Sequence, residues 1–318
     1  MKISKFIGQT NAVASLNEII SAKEYAENKG KEFHFRPILF KGLTGLGKTE
    51  LSKLFGNCMG MQFLELPANA GWGEMGKIAE KMSSFDDYTK TFSAIPSTIF
   101  IDEAHSQKVL ADLIKVLFND KKGTNHISRN GRDYFYDPRF HLVIFASNRT
   151  LDAALEGRCY KLQLVPYTKP QKIQLIKIMG AENGNIFTDE AAEILESRVK
   201  PTAREIKDLV YPFSLLQREK IDGKTALEKA KEKGFFPLGL RPLDIQLIKR
   251  IAEGSATAAV LKHIAQDDKK RDTQDKIDWL IALGLVAEGR GGFTVTKEGG
   301  KYFEKLRELK AGKTTAKK

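Results

Sequence analysis

A turn built from Gly42-Leu43-Thr44-Gly45-Leu46-Gly47-Lys48-Thr49, entered from the apolar run Pro37-Ile38-Leu39-Phe40, has the residue types and spacing of a phosphate cradle. Residues 37–41 read as a short buried strand and 48–58 as a helix. The glycines therefore fall where backbone N–H groups converge at a helix N-terminus. Glycine suits such a loop because it tolerates positive φ and lets the main chain approach phosphate oxygens closely. In that geometry Lys48 reaches the β- and γ-phosphates and the Thr49 hydroxyl holds Mg²⁺, with the binding turn running on to Glu50. The expectation is a site for a nucleoside triphosphate, with ATP and Mg²⁺ as its ligands.

The other half of such a site is an apolar strand ending in acid, and Ser97-Thr98-Ile99-Phe100-Ile101-Asp102-Glu103 supplies it. Asp102 is expected to hold Mg²⁺ through its water shell, and Glu103 to polarise the attacking water as general base. A third strand, His141 to Ser147, ends at Asn148, whose amide could orient that water. Arg158 lies ten residues later, before the alternating run Tyr160 to Val165. An arginine at that place suits an arginine finger that enters a neighbouring subunit's site. His105 reads as a polar residue near the nucleotide or a subunit interface. The string Asp102-Glu103-Ala104-His105 also resembles the DEAH helicases, but the rest of the chain follows a different plan.

Phosphate loop, acidic strand, Asn-ended strand and arginine in this order resemble the AAA+ ATPases. Phe6-Ile7-Gly8-Gln9 and the helix after it (Asn11 to Tyr25) look like the segment that lies against adenine in this superfamily, which would make Phe6 and Ile7 nucleotide contacts. Pro201-Thr202-Ala203-Arg204-Glu205-Ile206 resembles the start of a lid helix whose sensor-2 arginine, here Arg204, reaches the γ-phosphate. With a C-terminal segment that looks like a winged helix, the series is similar to the RuvB family of Holliday-junction branch-migration motors over nearly the whole chain. That family carries Thr where Asn148 stands, Phe where Cys159 stands, and Gly-Thr-Pro-Arg where this chain has Lys200-Pro201-Thr202-Ala203-Arg204. The resemblance implies a homo-oligomeric ring, a hexamer, that moves on double-stranded or junction DNA, with a junction-binding protein as a possible partner. Two other readings stay open: a loader that places a clamp, helicase or transposase on DNA, and an ATP-gated winged-helix regulator.

These residues need a parallel sheet to hold them. Up to Val165 apolar strands alternate with helices, the pattern of a sheet covered on both faces, so the fold class expected is α/β with a P-loop NTPase core. From Pro170 the apolar period becomes helical, over Gln171 to Met179, Thr188 to Arg198 and Thr202 to Leu216, with Thr188 as an N-cap. Gly234 to Leu240 reads as a linker, and Asp244 opens a new helix. The expected organisation is a large ATPase domain (1–165), an all-α lid (166–236), a winged helix (237–310) and a basic tail (311–318).

The C-terminal segment reads as three helices (Pro242 to Glu253, Ala256 to Gln266, Thr273 to Leu283), a hairpin with a Gly-rich tip at Gly289-Arg290-Gly291-Gly292, and a last helix capped by Thr296. Lys269, Lys270, Arg271 and Lys276 at the third helix, with Arg290 on the wing, are candidate DNA contacts. Interleaved acids favour backbone contact over base reading. From Leu238 to Lys318 there are 17 Lys or Arg against 11 Asp or Glu, a surplus of six within a chain charge of +12. Such a balance favours a polyanionic partner. A second hairpin signal, Asn130-Gly131 between His126-to-Arg129 and Arg132-to-Tyr136, resembles the one the RuvB family uses to engage its partner. Arg129, Arg132, Tyr134 and Phe135 are the candidates there, and contact and core readings of the aromatics remain open.

At 318 residues, 42% of them hydrophobic, two or three domains are expected. Without a secretory apolar run or a stretch long enough to span a bilayer, a cytoplasmic protein with no membrane partner is expected. Cys58 and Cys159 offer neither a disulfide framework nor a zinc pattern.

Overall fold

A computed structural model describes residues 3–66, 71–81, 83–86, 91–106, 125–129, 132–216, 219–254, 256–257, 259–261, 271–289 and 291–304. The chain divides into two compact units. One comprises Met1–Leu175 with Pro201–Arg204, and the other Ile176–Lys200 with Glu205–Lys318.

The first unit runs through α1 (Thr10–Asn28), β1 (Ile38–Lys41), α2 (Lys48–Cys58), β2 (Gln62–Leu66), α3 (Trp72–Lys81), β3 (Ser83–Asp86), β4 (Thr91–Ala94), β5 (Ser97–Ile101), β6 (Asn125–Arg129), β7 (Arg132–Tyr136), β8 (His141–Ser147), α4 (Ala153–Arg158) and β9 (Tyr160–Gln163). Five of the strands form one sheet in the order β2-β5-β8-β1-β9, every pairing parallel. All residues of β5 and β8 are buried, as continuous apolar runs in a sheet covered on both faces should be. Because the pairings are parallel and in register, Lys41 meets both Ser147 and Gln163, and Ile101 meets Phe145. The strands therefore release Gly42, Asp102, Asn148 and Leu164 along one edge, where open α/β sheets place their ligands.

Helix α2 packs on that sheet through Leu51, Ser52, Phe55 and Gly56. Gly56 is required there, since a Cβ would come within 2.6 Å of the Thr98 Oγ1. β6 and β7 pair antiparallel from Asn125↔Tyr136 to Arg129↔Arg132, the hairpin its turn signal predicts. The Asn130-Gly131 turn lies outside the described residues, and so do the side chains of Arg129, Arg132, Tyr134 and Phe135. Tyr136 is buried and donates its hydroxyl to the His141 carbonyl at 3.0 Å.

His141, the first residue of β8, is 4% exposed. Burial pushes its pKa down to about 4, with Asp137 opposing in part. In the unfolded chain the same imidazole takes up its proton near its ordinary value of about 6.5. Between those two values only the unfolded state binds the proton, so stability falls as pH drops from about 6.5 to about 4. Denaturant titrations across that range should show a shallower acid slope for His141→Asn than for the parent; an unchanged slope would mean that other groups govern it.

The second unit contains α6 (Asp189–Glu196), α8 (Gly223–Glu232), α9 (Pro242–Ala252) and α10 (Arg271–Ala282), with α5 (Lys169–Glu182) and α7 (Ala203–Ser214) shared with the first at their N-terminal ends. Thr188 caps α6 by accepting from the Ala191 N–H at 3.2 Å, and Asp244 accepts from the Arg241 N–H at 2.8 Å to open α9. Short parallel strands β10 (Ile186–Phe187) and β11 (Lys220–Ile221) join what the sequence reads as helices alone. Helix α8 carries no expectation in the sequence reading.

The segment read as a linker is packed. Phe235 and Leu240 are buried, the Leu238 N–H donates to the Ser197 carbonyl at 2.8 Å, and Arg198 donates to the Phe235 carbonyl at 3.0 Å. Beyond it an apolar cluster gathers Leu247, Ile248 and Ile251 of α9, Leu261, and Ile277 and Leu280 of α10. It also takes Val286 and Phe293 from the antiparallel hairpin of β12 (Val286–Gly289) and β13 (Gly292–Val295). Thr296 accepts from the Gly299 N–H at 3.0 Å, and residues 297–304 are helical.

Candidate active site

The phosphate-loop candidate joins the end of β1 to the start of α2. Gly45 and Gly47 stand at φ 83 and 89, conformations that only glycine enters at little cost. Space demands them too. A Cβ on Gly45 would lie 2.9 Å from the Arg204 Cβ, and one on Gly47 would lie 2.8 Å from the Phe6 ring. Lys48 is 9% exposed and folds back into the turn, donating to the carbonyls of Gly42 at 2.8 Å and Leu43 at 2.9 Å. Burial holds its ammonium below the ordinary lysine range; Asp102 and Glu103 oppose that shift, and the Arg204 cation adds to it. An anion arriving in the turn would relieve that burden. Thr49 is half-buried on the first turn of α2, while Thr44 and Glu50 are exposed and Leu46 is buried.

Asp102 and Glu103 follow β5 and are both half-buried. The Asp102 carboxylate accepts from the Glu103 N–H at 2.9 Å, and Glu103 sits at φ 44, a left-handed conformation that a side chain normally avoids. His105 is close behind, its Nδ1 3.1 Å from the Ser147 hydroxyl. That contact joins the acidic turn to the end of β8. Asn148, next along, is exposed.

Three segments distant in sequence complete the turn's surroundings. Phe6 and Ile7 are half-buried, and the main chain that follows them is left-handed at Gly8 and Gln9. The Gln9 amide exchanges two hydrogen bonds with Val165, donating to its carbonyl at 2.8 Å and accepting from its N–H at 2.9 Å. This clamp fixes the N-terminal segment to the chain just beyond β9. Tyr167 donates to the Leu46 carbonyl at 3.1 Å and lies against Gly8. From the other side the Ala203 N–H donates to the Gly45 carbonyl at 2.8 Å, so α7 begins directly on the turn and brings exposed Arg204 with it.

Arg158 ends the six-residue helix α4 at the sheet's β1/β9 side and is exposed. The helix is tied at its start by Asp152, whose carboxylate accepts from the Ala154 N–H at 2.9 Å. In its middle, Glu156 is buried and accepts from the Leu151 N–H at 2.8 Å and pairs with Lys41 at 2.7 Å. Lys41 holds the Glu156 carboxyl below the usual carboxylate range. Cys159 is buried, which pushes its thiol up to about 12 and leaves it inert.

The structure thus brings Phe6, Gly45, Gly47, Lys48, Asp102, Glu103 and Arg204 around one turn. Asn148 ends the neighbouring strand of the same edge, and Arg158 stands apart on α4. Gln9, Tyr167 and Thr202, whose Cβ is 3.3 Å from the Cβ position of Gly45, belong to the site without a chemical motif to announce them. The candidate DNA residues are a different case. Lys269, Lys270 and Arg290 lie outside the described residues, as does the side chain of Arg271, which heads α10. Lys276 is half-buried in α10 and shares an electrostatic environment with Lys200.

Residues 38–167 match the family described as ATPase family associated with various cellular activities, or AAA. Two solved structures of the Thermotoga maritima RuvB protein overlay almost the whole chain. One, titled as the RuvB Holliday junction branch migration motor, has 21% identity and a TM-score of 0.71, covering 95% of this chain and 96% of its own. The other, a point variant of the same protein, has 22% identity and a TM-score of 0.74, covering 95% and 97%. The chain has the RuvB fold. Its P-loop α/β core holds the stretch that matches the AAA family, and that likeness implies ATP and Mg²⁺ binding and nucleotide hydrolysis. The donor set in this RuvB-like fold suits those ligands: a glycine cradle with no room for side chains, a buried ammonium, and a hydroxyl and carboxylate for a hard cation. Among the described residues no helix is long and apolar enough to cross a membrane.

Proposed function

We propose that this protein is an ATP-driven DNA motor of the RuvB type, a cytoplasmic ring, hexameric, that translocates duplex DNA and drives branch migration of Holliday junctions. The observation that carries the reading is the extent of the structural likeness. It runs through both units rather than stopping at the ATPase core that many AAA proteins share.

The residue roles follow from position. Lys48 and the amides from Gly45 to Thr49 take the β- and γ-phosphates, and Phe6 and Ile7 take the adenine. Thr49 and Asp102 are the residues that would hold Mg²⁺, which when bound neutralises phosphate charge. Glu103 accepts the proton of the attacking water and Asn148 orients that water. Arg204 senses the γ-phosphate at the start of α7 and turns turnover into motion of the helical lid. Arg158 completes the site of the next subunit, so hydrolysis requires assembly. The C-terminal segment 237–310 acts as a winged helix on DNA backbone through Lys269, Lys270, Arg271, Lys276 and Arg290. The β6–β7 hairpin, with Arg129, Arg132, Tyr134 and Phe135, engages a junction-binding partner.

ATPase assays with linear duplex, single-stranded and four-way-junction DNA at two salt concentrations test the reading directly. Turnover should rise most with the junction, and DNA binding should fall steeply with salt as phosphate contacts release counterions. Branch migration by the protein alone would place the motor in this chain. Activity that appears only with a clamp or helicase present would overturn the motor in favour of a loader, and tight site-specific binding without turnover would favour a regulator.

A further inference from the structure

We infer that Arg36 is a positioning residue for Arg158. The inference rests on the reading that Arg158 acts in a neighbouring subunit's site. A finger that must reach across an interface needs its main chain fixed, because an error of about 1 Å at a reacting centre costs about 100-fold in rate. The six residues of α4 cannot supply that fixity themselves, being far shorter than any helix stable alone. Its N-terminal end is tied by Asp152 and its middle by Glu156, but neither of these holds the last turn, where the arginine sits.

Arg36 holds that last turn. Its Nε donates to the Arg158 carbonyl at 2.8 Å and its Nη2 to the Gly157 carbonyl at 3.1 Å, across 122 and 121 positions of sequence. The guanidinium fork satisfies two carbonyls that the helix end leaves without intrahelical partners, and places a cation at the negative end of the helix dipole. The next residue, Pro37, accepts from the Tyr160 N–H at 2.8 Å, so Arg36 and the entry to β1 bracket the main chain on both sides of Cys159. Arg36 is itself exposed, and nothing about its place suggests a part in the apolar core. Its two directed bonds set where the Arg158 side chain begins.

The test is subunit mixing. Arg36→Ala should bind a non-hydrolysable ATP analogue as the parent does while its kcat falls about tenfold. Mixed with Lys48→Ala subunits, which lack a working nucleotide site but carry an intact Arg158, it should regain turnover. Mixed with Arg158→Ala subunits it should not. Arg158→Ala mixed with Lys48→Ala is the control, and its recovery shows that the arginine works in trans. Parent-level kcat in Arg36→Ala, or no recovery with Lys48→Ala while the control recovers, would overturn the positioning role. Failure of the control itself would remove the trans-acting arginine, and the role of Arg36 with it. If Arg36→Ala melts at a much lower temperature than the parent, Arg36→Lys carries the same comparison, because it keeps the charge and loses the fork.

Discussion

Lys48→Ala is expected to remove nucleotide binding: an ATP analogue titrated into the variant should bind at least about 100-fold more weakly than into the parent. Charge-assisted hydrogen bonds contribute about 1.5–3 kcal/mol each, and about 1.4 kcal/mol is a factor of ten in affinity. Two such bonds to phosphate therefore account for two to four decades. A second loss adds to the first. The ammonium donates to the carbonyls of Gly42 and Leu43, so its removal also unties the turn whose amides must converge on the ligand. Because burial already holds the lysine below its ordinary pKa, the parent site is poised to gain when an anion enters, and alanine forfeits that gain. Isothermal titration paired with a thermal melt separates the two parts, since the lost phosphate bonds cannot alter the melting temperature of the empty protein. Affinity within a few-fold of the parent would sink the phosphate-loop assignment.

The frame of the candidate site was legible in the sequence where local signals and the sheet agree. Strand boundaries at Ser97–Ile101 and His141–Ser147 match the apolar runs, because a strand buried on both faces has no alternation to blur its ends. The turn from Gly42 to Thr49 was legible because positive φ at Gly45 and Gly47 leaves a mark in residue type. Contacts made by ordinary residues leave no such mark. Gln9 clamps Val165 through an amide with no motif around it, Tyr167 reaches Leu46 across 121 positions, and Arg36 reaches Arg158 across 122.

The packed segment from Gly234 to Leu240 shows the opposite failure. Glycine and proline mark a break in helical period, but whether the break is open or buried is decided by partners such as Arg198 and Ser197, which lie far away in the chain. The sheet's C-terminal edge gathers what the sequence scatters. Parallel register puts Gly42 beside Asn148 and brings Asp102 out on the same edge, level with Ala146.

Glu103→Gln should bind ATP and stall, with kcat lower by about 100- to 10,000-fold, the range expected when a general base is lost. Glutamine keeps the length and shape of the side chain, so the position is preserved and only the ability to take a proton is gone. The backbone argues for a chemical rather than structural role. Glu103 is held at φ 44, a conformation costing about 1–2 kcal/mol for a residue with a side chain, and Asp102 keeps it there by accepting its N–H at 2.9 Å. A chain selected only for stability would place glycine at that position. On the proposed roles, stored strain beside the carboxylate assigned to Mg²⁺ is what a site gives up to aim a base. Glu103→Gly then offers a contrast: it relieves the strain, so the melting temperature should hold or rise while turnover is lost as fully as in Glu103→Gln. Single-turnover hydrolysis with analogue binding measured in parallel decides the matter. A glutamine variant that turns over at the parental rate would move the base elsewhere, and a glycine variant that melts well below the parent would mean that the carboxylate serves the fold instead.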